Sequence, residues 1–318
     1  MKKIIGIDLG GTTAKLAILS YEGQIETKWE VPTSTEDNGA YILPNLQASI
    51  EAKLAELQLT KADIHAIGMG VPAPVKPNGE MSMAANLGGF GGFNVAESFS
   101  TMMELPVILD NDANIAALGE MWQGGAKGAQ NVVMITLGTG VGGGVIADGG
   151  IIRGFSGAGG EIGHMPVVCE EAYTFACGCG KKGCLETVSS ATGIVRVAKQ
   201  MLTTHSAPTT LADVQPLTAK AVFDAAKNHD VLALQVVDYF AQTLAKAMGT
   251  LSAVTNPEVF VIGGGVSKAG AIIIDTVAKY YYESVFAAAT NGVKIELATL
   301  GNDAGVIGAA YHAHTYQA

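Results

Sequence analysis

Two segments of the 318-residue chain repeat one design at a spacing of 128 residues. Ile7-Asp8-Leu9-Gly10 and Ile135-Thr136-Leu137-Gly138 are both apolar strands that run into a Gly/Thr turn and out along a second strand. The later copy continues Thr139-Gly140-Val141-Gly142-Gly143-Gly144-Val145-Ile146. Such a restart predicts two domains of one fold facing each other. The length agrees: 318 residues are too many for one ordinary core and enough for two. With 48% hydrophobic and 15% charged residues, two cores can be filled and disorder is excluded.

Between the copies, strands alternate with helices. Strands are predicted over Lys3–Asp8, Ala14–Ser20, Gln24–Val31 and His65–Val71, the last stopped by Pro72, which cannot donate to a ladder. Apolar Ile42, Leu43, Leu46, Ile50 and Leu54 mark a helix over Ala40–Leu57. A short strand Val107–Leu109 leads into a helix over Ala113–Trp122, and Val132–Leu137 restarts the pattern. Further helices are predicted over Ser189–Leu202, Thr218–Lys227 and Leu232–Thr255, the last ending at Asn256-Pro257. Strand Val259–Ile262, helix Ala271–Phe286 and helix Gly305–His314 complete the reading, the final helix returning to the first domain.

A net charge of −10 disfavours a broad nucleic-acid surface. The opening apolar run is cut at Gly6 and Asp8, and no apolar stretch reaches about 20 residues, so neither a signal peptide nor a membrane span is expected. The expectation is a soluble, cytoplasmic protein.

The 41 glycines fall in clusters that let backbone approach a ligand closely. In Asp8-Leu9-Gly10-Gly11-Thr12-Thr13 a tight strand-to-strand turn aims several N–H groups at one spot, an anion nest. Asp8 could hold Mg²⁺ through water. No G-x-x-x-x-G-K-[ST] loop occurs, so this is not a Walker motif. Together with Gly138-Thr139-Gly140 and Gly263-Gly264-Gly265, the turn suits the phosphates and adenosine of ATP. Phosphoryl transfer to an alcohol also needs a carboxylate to take the hydroxyl proton. In Asp110-Asn111-Asp112-Ala113-Asn114, Asp112 is the candidate base and Asn111 a substrate-orienting neighbour, although Asp at a helix start also serves as a plain cap.

The densest motif is Glu161-Ile162-Gly163-His164 followed by Cys177-Gly178-Cys179-Gly180-Lys181-Lys182-Gly183-Cys184-Leu185-Glu186. His164, Cys177, Cys179 and Cys184 make a complete Cys₃His set for tetrahedral zinc, and four protein ligands close the site, so the zinc is structural. Cys169 lies outside the pattern. His312 and His314 are expected at the surface, and Tyr280-Tyr281-Tyr282 in helix packing or a subunit interface.

In order, Ile7–Thr12, Asp110–Asn114, Glu161–His164 and Cys177–Glu186 resemble the ROK family of repressors, open reading frames and sugar kinases, over the whole chain. Cys184–Gly193 resembles the bacterial glucokinase branch. The resemblance implies an α/β, actin-like ATPase fold of two ribonuclease H-like domains with the active site in the interdomain cleft. The expected division is residues 1–118 plus 303–318 against 119–302. It also implies Asp112 as base, Asn86, Asn111, Asp112, Glu161, His164 and Glu186 as sugar-binding residues, glucose as the hexose, its 6-hydroxyl as acceptor, and a homodimer. Two departures are noted: a slightly long His164–Cys177 loop, and Ala73 where many relatives carry glycine.

Two alternatives stay open. A sibling kinase for N-acetylmannosamine, fructose, mannose or allose would share the hydroxyl-binding residues. A sugar-responsive repressor needs a DNA-binding module for which no room is expected ahead of Ile4, and a non-catalytic sensor is opposed by Asp112 and the phosphate loops.

Overall fold

Strand β1 (Lys3–Leu9) shows how one sequence face is read twice. Ile5, Ile7 and Leu9 point to one side of the sheet and Ile4 to the other, all buried. In the computed structural model, which describes residues 2–204, 206 and 208–316, β1 pairs antiparallel with β2 (Thr13–Leu19). That strand pairs in turn with β3 (Ile25–Pro32). Helix α1 (Ile42–Glu56) then leads to β4 (Ile64–Val71), which lies parallel to β1. A two-stranded ribbon, β5 (Glu80–Met81) with β6 (Phe93–Asn94), and helix α2 (Val95–Met103) precede β7 (Val107–Asn111), parallel to β4. The sheet order is β3-β2-β1-β4-β7. Helix α3 (Asp112–Gln123) follows directly.

The second sheet repeats the first. Antiparallel β8 (Val132–Leu137), β9 (Val141–Ala147) and β10 (Gly150–Ile151) are followed by α4 (Glu186–Ser189), α5 (Ala191–Leu202), α6 (Ala219–Lys227) and α7 (Val231–Thr255). Parallel β11 (Val259–Gly263), α8 (Ala271–Ser284), α9 (Ala287–Thr290), parallel β12 (Lys294–Leu297) and α10 (Ala304–His314) complete the chain. The order β10-β9-β8-β11-β12 has the same strand directions as the first sheet. The expected duplication is therefore present strand for strand, as an actin-like pair of α/β domains.

Alternation again sorts the second sheet. Val133, Ile135 and Leu137 of β8 face the large core under α5, α6, α7 and α8, while Val132 and Met134 face α3. Helix α10 lies on the first sheet through Val306, Ile307 and Ala310. Helices α3 and α10 then pack on each other between the sheets, and glycines set their distance. A Cβ at Gly308 would overlap the Ile115 carbonyl, and one at Gly119 the Ala304 carbonyl.

Three sequence expectations shift. Helix α3 runs unbroken through the expected division at 118/119, and the chain passes between the sheets at 124–131 and 298–303. Of that division, residues 1, 205, 207, 317 and 318 lie outside the described residues. The helix predicted over Ser189–Leu202 is broken at Ser190, which is extended and caps α5 by accepting from the Gly193 N–H. Helix α2 and strand β12 are additions. The cap that announces α2 is Asn94, whose side chain accepts from the Glu97 N–H.

Candidate active site

The first hairpin turn is held by the residue that follows β3: Thr33 Oγ1 donates to the Gly10 carbonyl (2.8 Å) and the Thr33 N–H to the Thr12 carbonyl (2.9 Å). Gly11 lies so close to Asn86 that a Cβ would come within 2.8 Å of the Asn86 carbonyl oxygen. Asp8 stands opposite Lys15 in the β1–β2 register, with Nζ 3.8 Å from its carboxylate. Burial raises the Asp8 pKa, and Lys15 offsets part of that.

The matching turn of the second sheet is fastened to α5. The Ala191 N–H donates to the Gly138 carbonyl (2.8 Å) and Thr192 Oγ1 to the Thr139 carbonyl (2.9 Å). Glu186 reaches the same turn, its Oε2 accepting from the Val141 N–H at 3.1 Å. At the third loop, Gly264 takes φ +84°, and a Cβ there would meet the Leu137 backbone. Gly263 is different: it is a buried strand residue, packed beneath Met134 and Ala298, and belongs to the wall's support.

Between the hairpins, β7 delivers Asp110-Asn111-Asp112. Asn111 holds the cap position: its Oδ1 accepts from the N–H groups of Ala113 (2.9 Å) and Asn114 (3.4 Å), while Asp112 Oδ1 shares the Ala113 N–H at 2.8 Å. Asp112 is thereby the first helical residue, with its carboxylate open to the cleft although protein surrounds the cleft. Burial raises its pKa; the Ala113 N–H counters this, and the nearby carboxylates of Asp8 and Glu161 raise it further. Three carboxylates thus converge where a base and a cation would be needed.

Beneath this turn runs a network that sequence reasoning missed. Asp110, almost fully buried, accepts from the Asn111 N–H (2.8 Å), Asn114 Nδ2 (2.8 Å) and Arg153 Nε (2.6 Å). Arg153, from the strand–loop after β10, also donates to His312 Nε2 (3.0 Å). Burial drives the His312 imidazole down to about 4, against the pull of Asp110 and with the push of Arg153. It therefore accepts as a neutral ring. His314 packs against Tyr21 and Trp122. The two histidines expected at the surface are hence half-buried, His312 in the contact between the domains and His314 within the first domain. Of the tyrosine run, Tyr281 is fully buried and bonded to Ser252 (2.8 Å), so helix packing accounts for it.

His164, Cys177, Cys179 and Cys184 bring their ligand atoms within 4.8 Å of one another. Cys177 Sγ is 3.6 Å from His164 Nδ1, and the Cys179 and Cys184 sulfurs are 3.7 Å apart. Tetrahedral coordination with bonds of about 2.3 Å needs edges of about 3.8 Å, so the set fits a four-coordinate metal. Burial, with the neighbouring thiols, pushes Cys184 up to about 12, a state in which only a cation would hold it as thiolate. His164 turns its other nitrogen to Glu161, 3.9 Å away. Cys177 Sγ also lies 3.6 Å from Glu186 Oε1, so one carboxylate touches both the cluster and the Val141 turn.

A cavity of about 900 Å³ opens between the domains. Its wall takes Asp8, Asp112, Gly138, Gly140, Glu186, Gly264 and Gly265 from the expected set. Gly10, Gly11, Thr12, Thr13, Asn86, Asn111, Thr139, Glu161, Gly263 and His164 do not line it. Lys15, Glu120, Thr136, Ser267, Lys268, Thr299 and Asn302 line it without having been singled out. Lys15 was legible as the residue facing Asp8 across a hairpin; Thr299 and Asn302 carry no local motif.

The model of the ROK family matches residues 4–316. A glucokinase of Halalkalibacterium halodurans is 45% identical over 311 residues, covering 96% of this chain and 93% of that protein. One of Thermotoga maritima is 32% identical, covering 97% and 96%. Among solved structures, a ROK family glucokinase from Streptomyces griseus in complex with glucose and AMPPNP superposes with a TM-score of 0.71 at 30% identity, covering 97% of this chain and 98% of that one. With its duplicated fold, interdomain cleft and His/Cys cluster, the chain belongs to the ROK family.

Proposed function

We propose that the chain is an ATP-dependent glucokinase, transferring the γ-phosphoryl of ATP to the 6-hydroxyl of glucose. The observation that carries this reading is the Asp112 carboxylate, its pKa raised by burial, at the wall of the interdomain cavity. The relatives named glucokinase, and the Streptomyces griseus complex, support the substrate pair.

Sugar hydroxyls would be held by Asn86, Asn111, Glu161, His164 and Glu186, polar groups that a wrong epimer would leave unpaired. Asp112 accepts the proton as O6 attacks the γ-phosphorus, and the bond to the bridging oxygen breaks with its electron pair leaving on ADP. The phosphates would lie across the Asp8–Thr13 and Gly138–Gly140 turns, with adenosine towards Gly264 and Gly265. A magnesium ion, held through Asp8, would supply charge neutralisation on the β- and γ-phosphates. Zinc is the metal proposed for His164, Cys177, Cys179 and Cys184, with a structural role: fixing the loop that carries His164 and Glu186. Closure of the domains would exclude water from the transfer. The proposed division assigns residues 2–123 and 304–316 to one domain and 124–303 to the other. A cytoplasmic homodimer completes the proposal, on the family resemblance.

The test is ADP release with Mg·ATP and a panel of hexoses. Glucose is expected to be turned over fastest. A preference for N-acetylmannosamine, fructose, mannose or allose would move the substrate and leave the base in place. Sugar binding without turnover would make the chain a sensor and overturn the reading.

A further inference from the structure

The two passages of chain between the domains meet at one side chain. Glu120, in the last turns of α3, is fully buried. Its Oε2 accepts from the Gly125 N–H (2.8 Å) in the outgoing passage. In the returning passage, the Thr299 N–H lies 3.1 Å from both oxygens and the Leu300 N–H 2.9 Å from Oε1. Thr299 Oγ1 adds a longer contact of 3.4 Å. No ion pair reaches Glu120 among the described residues, so a buried carboxylate is held by backbone N–H groups from two segments 174 residues apart. The local glycines are shaped to it: a Cβ at Gly124 would strike the carboxylate, and one at Gly125 would come 2.6 Å from the Leu297 carbonyl oxygen. Glu120 also lines the interdomain cavity beside Thr299.

We infer that Glu120 is a positioning residue for the transfer reaction: it ties both interdomain passages at one point and so fixes the axis on which the domains close. A cleft whose sugar-side base comes from one domain and whose second and third glycine turns come from the other depends on that axis. Errors of about 1 Å in such an alignment cost about 100-fold in rate. A carboxylate suits the post because it accepts along four directions and donates along none. An amide of the same shape would turn a donor towards N–H groups that have no other partner among the described residues.

The inference rests on the kinase reading, and the experiment separates the two. Glu120→Gln, Gly125→Ala and, as control, Lys127→Ala are compared with the wild type well below their melting temperatures. Lys127 is an exposed residue of the same passage. The readouts are kcat per folded molecule, glucose Kd, and the change in radius of gyration on adding glucose, by small-angle scattering. Glu120→Gln is expected to lower kcat by about 10- to 100-fold with glucose Kd within about threefold of wild type. Its contraction on glucose should be lost, and Gly125→Ala should behave alike. Wild-type kcat and contraction in folded Glu120→Gln would overturn the inference. Should that variant fail to fold, the same result in Gly125→Ala would do so. A wild type that contracts on glucose without transferring phosphate would instead overturn the kinase reading.

Discussion

Asp112 and Asn111 divide a task that a sequence pattern leaves ambiguous. Either could cap α3; Asn111, extended, takes the cap position and reaches both Ala113 and Asn114, while Asp112 reaches the Ala113 N–H alone. Asp112 then presents its carboxylate on a cleft wall that it shares with Asp8, with the Glu161 charge nearby. Burial and those two charges raise its pKa, so kcat/KM should fall on acidification with an inflection above the ordinary aspartate value of 3.8. The direction follows from the role: a base is lost on protonation, so activity disappears as the pH drops through the raised pKa. A flat profile across that region, in a protein still folded, would remove Asp112 from the role.

At the scale of elements, caps and clusters do what hydrophobic periodicity cannot. Asp230 caps α7, the helix at the centre of the second domain. Burial works against its ionisation, but the N–H groups of Ala233 and Thr210 and the hydroxyls of Thr210 and Thr209 outweigh it and hold it at about 2. A depressed carboxylate stabilises the fold above its unfolded pKa and loses that contribution as pH falls through the folded one. Asp230→Ala should therefore cost about 1 kcal/mol near neutrality and almost nothing below pH 2, measured by denaturant titration at both. The metal loop is a second such unit. If zinc occupies this loop as proposed, Cys179→Ser should lower the zinc content, lower the melting temperature and weaken glucose binding, while Asp112 keeps its place. A zinc-free wild type with full activity would contradict this. The sequence was most legible where spacing itself encodes geometry, as in C-x-C-x₄-C, the Gly/Thr turns and the apolar strands. It was least legible at α2 and β12, the first short and announced only by Asn94, the second a four-residue strand.

For the whole molecule, the restart at Ile135 foretold the duplication, since two copies of one hairpin imply two copies of the sheet built on it. What joins the copies was not legible. Glu120, Asp110, Arg153 and His312 touch partners 43 to 180 residues away, with no repeating interval to reveal them. Their pairing emerges only once α3 and α10 lie between the sheets. The same holds for the far wall of the cavity at Thr299 and Asn302. The functional claim therefore stands on a base from one domain facing turns from both.

The most direct test sets wild type and Asp112→Asn side by side, measuring glucose 6-phosphate formed from Mg·ATP together with glucose affinity and melting temperature. The account predicts a rate lower by about 10²- to 10⁴-fold, glucose affinity little changed, and a melting temperature that does not fall, since a repelled charge has been removed. An Asp112→Asn variant that phosphorylates glucose at the wild-type rate would contradict it.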